Sequence, residues 1–132
     1  MSQDFETIVE TITSHDPRYR LDAYAFVMEA LSYTQKKFKV QRHVNGQEIL
    51  FGMKELLLEK YGPMALLVLE YWGIHGTEDF GNIIFNLVER KILSKTEEDK
   101  IEAFRNAYDF EEVFKTGYRK QLDKKISRMR SF

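Results

Sequence analysis

Between Tyr71 and Val88 the chain reads Tyr-Trp-Gly-Ile-His-Gly-Thr-Glu-Asp-Phe-Gly-Asn-Ile-Ile-Phe-Asn-Leu-Val, and this stretch places a turn bounded by Gly73 and Gly76 between two helices. Upstream, Met64 to Leu69 is apolar all round and too short to cross a bilayer, which predicts the most buried helix of the domain, opened by Pro63 and ended by Gly73. Downstream, Thr77 has the chemistry of a helix cap, with Glu78 and Asp79 in the first turn where the positive end of the helix dipole favours them. Phe80, Ile83, Ile84, Leu87 and Val88 then recur at helical spacing.

The same signals continue along the chain. Phe5, Ile8, Val9 and Ile12 lie on one helix face, and Asp16-Pro17 has the form of an N-cap followed by a first-turn proline, which predicts a second helix from there. That helix is apolar over much of its circumference, through Leu21, Tyr24, Met28, Leu31 and Phe38 on one side and Ala23, Phe26, Val27, Ala30 and Tyr33 on another. It is central, or it borders a partner. Asn45 with Glu48 has capping-box spacing, so a third helix begins at about Gly46, carries Ile49, Met53, Leu56 and Leu57 inward, and ends at Gly62. Thr96, followed by Glu97, Glu98 and Asp99, predicts a helix through Ile101, Phe104 and Tyr108. Asp109 with Glu112 starts a last stripe of Val113, Phe114, Tyr118, Leu122, Ile126 and Met129, with Gly117 as a break. Residues 39–44 alternate with period two, which suits a short strand or an extended linker. The expected fold is therefore mainly α, a single domain over residues 1–132 with six to seven helices. A minimal strand pair at 39–44 and 92–95 would give it winged-helix order.

Ten Phe and seven Tyr in 132 residues, with 43% apolar residues, are the composition of a packed globular domain. Cysteine is absent, which excludes disulfides, thiolate zinc sites and thiol nucleophiles. The first residues have no basic patch leading into an apolar run, and no stretch reaches the length of a membrane span, so a cytoplasmic location without membrane contact is the expectation. Formal net charge is only −1, but residues 119 to 130 hold six cations against Asp123, a local +5 that leaves −6 on the remainder. The body is acidic and the C-terminal segment, 119–132, is basic.

No phosphate loop, nucleophile elbow, His-Glu-x-x-His pair or calcium loop is present. The three histidines, His15, His43 and His75, sit at helix ends or loops near carboxylates, but about thirty residues separate each from the next, so no local spacing makes a metal site. No metal and no cofactor are expected. Arg42, His43, Gln47 and Glu48 crowd a helix N-terminus, where backbone amides can hold an anion, and with His75 they form a candidate ligand site. The competing reading is that Asn45 and Glu48 simply cap the helix. Arg119, Lys120, Lys124, Lys125, Arg128 and Arg130 form a candidate nucleic-acid surface, although the helix after Thr77 carries too many carboxylates for a recognition helix.

The Arg42–Glu48 segment, Gly62-Pro63-Met64-Ala65, Tyr71–Val88 and Tyr108-Asp109-Phe110 together resemble a small family of bacterial proteins of about this length. The resemblance spans nearly the whole chain and implies no activity. The expected function is a non-enzymatic interaction module, contacting another protein chain or a second copy through the second helix and the C-terminal stripe. Nucleic-acid binding through the basic segment is the first alternative. A ligand-binding protein or enzyme with its site near Arg42, His43 and Glu48 is the second.

Overall fold

Asp4 accepts a hydrogen bond from the Thr7 amide at 2.8 Å and so starts α1, Phe5–His15, which buries Val9 and Ile12. The computed structural model describes residues 4–39, 43–95 and 100–129. Asp16 does not cap a second helix, contrary to expectation. It lies just past α1, and its carboxylate holds the Arg18 guanidinium (2.8 and 2.7 Å) and the Arg18 amide. A planar two-pronged donor two residues away competes successfully for the capping oxygens, and the resulting turn sinks Tyr19 to 2% exposure.

α2, Leu21–Lys37, begins only after that turn and is central: Ala23, Tyr24, Phe26, Val27, Ala30 and Thr34 are buried. Leu21, Met28, Leu31 and Tyr33 are partly buried against the core, and Phe38 just past the helix is exposed. α3, Gly46–Tyr61, lies along α2. Its capping box is formed as expected, the Glu48 amide donating to Asn45 Oδ1 (2.8 Å) and the Asn45 amide to Glu48 Oε1 (2.9 Å).

The two helices meet where Gly52 faces Thr34, whose hydroxyl donates to the Ala30 carbonyl at 2.7 Å. A Cβ on Gly52 would stand 1.7 Å from Thr34 Oγ1. Gly52→Ala is therefore expected to lower stability by ~1–3 kcal/mol through overpacking, outweighing the ~1 kcal/mol that alanine ordinarily gains over glycine inside a helix. Adding Thr34→Ala should recover part of the loss. Urea denaturation of the single and double variants checks this, and an undiminished midpoint for Gly52→Ala would show that the helices part freely.

α3 ends at Gly62, where φ is +48°, and a 3-10 turn, Gly62–Met64, leads into α4, Ala65–Trp72. Gly73 at φ +87° closes α4, letting the Ile74 amide return to the Leu69 carbonyl at 2.9 Å. The expectation that α4 is the most buried helix is overturned. Ala65, Leu69 and Trp72 face the core, while Met64, Leu67 and Tyr71 face outward, Leu67 at 57% exposure. An apolar run records hydrophobicity but not how many sides have neighbours, and α4 has the body on one side only. Leu69→Ala, at 1% exposure, should cost ~2–5 kcal/mol as a cavity. Leu67→Ala should cost ~0.5 kcal/mol or less, and equal losses for the two in chemical unfolding would contradict this placement.

α5, Thr77–Glu89, buries Phe80, Ile83 and Leu87, and its cap differs from the expected one. Gly76 occupies the N-cap position, and Asp79 reaches back to the amides of His75 (2.7 Å) and Gly76 (3.2 Å). Thr77 is drawn away by a better-placed partner: its hydroxyl donates to the Phe104 carbonyl (2.6 Å) and accepts from the Ala107 amide (3.0 Å). Of the helix expected from Thr96, residues 96–99 lie outside the described residues; beyond them runs a 3-10 turn, Ile101–Phe104, followed by bends with Asn106 at φ +48°. Asp109 does cap the last helix, its Oδ1 accepting from the Glu112 amide at 2.9 Å. Gly117 does not break that helix. The chain widens into a π turn, Glu112–Gly117, and continues as α6, Tyr118–Arg128.

Among the described residues there is no strand. Lys39, His43 and Val44 are turn or coil, 92–95 are bends and coil, and 40–42 lie outside the described residues. Ile92 is instead held against α5, its amide donating to the Leu87 carbonyl at 3.0 Å. Nor is any described helix long and apolar enough to cross a membrane.

Candidate functional site

The N-terminus of α3, a candidate ligand site, has its first turn closed on itself by the Asn45–Glu48 box. Arg42 lies outside the described residues. His43 and Gln47 are exposed, and His75 is exposed in the α4–α5 turn with its backbone amide on Asp79. His43 borders a cavity of about 280 Å³ between α2, α3 and α5, with walls that include Leu31, Ile49, Ile84 and Phe104. Gln47, Glu48 and His75 do not line it. Of the four described candidates, His43 alone lines this cavity. No group of three or more His, Asp or Glu residues is placed to hold a metal ion among the described residues.

A polar cluster that the sequence reading did not assemble lies along α5 instead. Asp79, Asn82 and Asn86 occupy one helix face at steps of three and four, opposite the Asp16–Arg20 turn and the start of α2. The Tyr19 hydroxyl donates to Asp79 Oδ1 and accepts from Asn82 Nδ2 at 3.0 Å. Asn86 Nδ2 donates to Asp16 Oδ2 and to the Tyr24 hydroxyl, both at 3.0 Å. Arg18 stands 5.1 Å from the Tyr19 ring centre while paired to Asp16. The available signal was the three polar residues at helical spacing inside an otherwise apolar face; their partners sit some sixty residues away and leave no local trace. These groups engage one another, which suits a rivet between the turn and α5. Tyr19→Phe should therefore destabilise by ~1–3 kcal/mol, the cost of leaving buried polar partners unmatched, as measured by thermal or urea unfolding.

The electrostatics of this cluster, together with Tyr108 packed elsewhere against the core, make stability depend on pH at both ends. The Arg18 guanidinium, helped by Asn86, holds the Asp16 carboxyl well below the usual carboxylate range. Its contribution is present above the ordinary value of 3.8 and is lost as pH falls below it. Burial raises the phenols of Tyr19, Tyr24 and Tyr108, with the Asp79 hydrogen bond adding to the effect at Tyr19. The folded chain keeps those protons when the unfolded chain has lost them, so stability declines as pH rises above 10.0. Unfolding midpoints should form a plateau between those limits. Asp16→Asn should flatten the acid limb, and phenolate absorbance should show these three tyrosines ionising only with unfolding.

The remaining feature is apolar and exposed. Met64 at the end of the 3-10 turn and Leu67 and Tyr71 on α4 form a row, beside a groove of about 500 Å³ floored by Phe26, Val68 and Trp72. Trp72 is held between Phe26 (5.3 Å) and Tyr61 (5.8 Å), and Arg20 covers the Tyr71 ring at 4.1 Å while donating to the Tyr71 carbonyl. Asp22 and Glu29 stand at the rim, Glu29 paired with Lys60 at 2.7 Å. On α6 no residue is buried, and Leu122, Ile126 and Met129 form a second row. Arg119, Lys120, Lys124, Lys125 and Arg128 are all exposed around that row; Arg130 lies outside the described residues. Protein-family models, curated proteins and solved structures contain no match to this chain.

Proposed function

We propose that the protein is a non-enzymatic interaction module of the cytoplasm that associates with another protein chain, in the first instance a second copy of itself, through the outward faces of α4 and α6. One observation carries the reading: of seven large apolar side chains exposed among the described residues, six fall on these two rows, with Phe38 the exception. Surface apolar residues scattered singly need no explanation, whereas rows of them mark contact sites. The expected result is a mass above that of a 15.7 kDa monomer at micromolar concentration in light scattering or sedimentation, falling on dilution. A monomer at every concentration, with no protein partner recovered by crosslinking, would remove the reading.

A second reading, nucleic-acid binding, is favoured by the exposure of five cations on α6 against the single carboxylate Asp123. It requires affinity that falls steeply with salt and a shallower slope once Lys120, Lys124, Lys125 and Arg128 are neutralised. Fluorescence anisotropy with single-stranded and duplex oligonucleotides distinguishes the two, because the first reading expects no such binding.

A further inference from the structure

We infer that α6 of one copy seats its Leu122–Ile126–Met129 row on the Met64–Leu67–Tyr71 row of a second copy, an inference that rests on the self-association reading above and names its pairing. Each row runs over seven residue steps, which at 1.5 Å per step is ~10.5 Å, so the two match in length. Among the described residues neither is covered: Leu67 is 57% and Ile126 53% exposed.

Charge selects between the possible occupants. By helical phase Arg119 and Lys125 flank the apolar row of α6, and Lys120, Lys124 and Arg128 occupy its back. Two α6 helices laid face to face would bring like charges together, which is destabilising. The α4 side offers the opposite sign: Glu70 on α4 and Asp22 at the groove are exposed carboxylates, and Glu29 lies beyond them. The cations on that side are already engaged, Lys60 by Glu29 and Arg20 by the Tyr71 ring and carbonyl.

Donor and acceptor also begin at one corner of the molecule. The Tyr118 ring at the start of α6 lies against Gly62, where a Cβ would be 3.6 Å from it, and Gly62 opens the turn into α4. Two copies related by a twofold axis can therefore exchange α6 helices in a single closed interface.

The test uses full-length variants at exposed positions, Leu67→Glu and Ile126→Glu, each expected to keep the far-ultraviolet spectrum of the parent and, at concentrations where the parent is monomeric, its melting midpoint. Leu122→Glu and Met64→Glu serve as a second pair if either fails to fold. Each variant alone should self-associate at least ~10-fold more weakly, as loss of a central apolar anchor implies. An equimolar mixture should regain association, because one intact α6 then meets one intact α4. Added salt should weaken the parent pair. If both variants are monomeric and their mixture stays monomeric, the pairing is overturned while self-association stands; if Leu67→Glu associates like the parent, α6 meets a different surface and the pairing is again overturned. A parent that is monomeric alone overturns the pairing and leaves only a different protein chain for the reading above, and its salt-sensitive binding to phosphatidylserine vesicles would make an anionic membrane the occupant instead.

Discussion

Gly73→Ala is expected to cost about 3 kcal/mol or more, because two penalties fall on one methyl group. The residue sits at φ +87°, a conformation that costs an L residue roughly 1–2 kcal/mol. A Cβ there would also lie 2.2 Å from the Arg18 carbonyl oxygen, a backbone atom that no rotamer change can withdraw. Relief requires the Asp16–Arg20 turn to move off α4, breaking the Arg20 amide bond to the Trp72 carbonyl and pulling Tyr19 from its place. Against a typical domain stability of ~5–15 kcal/mol, this is a large fraction. Gly73→Asn separates the two causes, since asparagine tolerates a left-handed backbone yet carries the same Cβ. It should fail nearly as badly, and a loss below ~1 kcal/mol for either variant in urea denaturation would show that the close approach is not real.

Phe80→Ala should be as damaging, at ~3–5 kcal/mol. Phe80 is fully buried on α5 and its ring lies 5.7 Å from that of Phe110, which in turn stands 5.5 Å from Phe114 and 6.2 Å from Tyr108. Truncation would leave a void beside Phe110, the hub of this ring cluster, whose member Tyr108 is held by its hydroxyl on the Leu50 carbonyl at 2.8 Å. Loss of the near-ultraviolet aromatic signal below the main unfolding temperature is the expected accompaniment. The contrast is Phe38→Ala, at 39% exposure, for which ~0.5 kcal/mol or less is expected.

Elements whose ends are determined within four residues were legible in the sequence. Asn45 and Glu48 satisfy each other's amides across one turn, and Gly62 and Gly73 stand where a left-handed residue is needed. The misreadings at Asp16 and Thr77 share a physical origin. Both residues have capping chemistry, but each found a stronger partner, the Arg18 fork in one case and the Phe104 carbonyl with the Ala107 amide in the other. A cap is a local bargain that a distant group can outbid, and nothing near Thr77 in sequence announces residue 104. The outward face of α4 was misjudged for a related reason, since Leu67 and Leu69 are chemically identical and only the placement of α2 and α3 tells them apart. At the candidate site, Glu48 could be read as a cap from its spacing to Asn45, whereas the cavity that His43 borders is built by α2, α3 and α5 together and leaves no local trace in the sequence.

The π turn at Glu112–Gly117 has a consequence for how the C-terminal helix is aimed. A π turn holds one residue more than an α turn, and Gly117 accommodates it by presenting no Cβ to the Glu112 carbonyl, which would be only 3.0 Å away. One extra residue rotates everything beyond it by about a quarter-turn or slightly more. Phe110 and Phe114 can thus stay in the core while the azimuth of Leu122, Ile126 and Met129 is set independently. Removal of a single residue here would swing that row to a new compass bearing without altering its composition, and would carry Tyr118 away from Gly62 in the same movement.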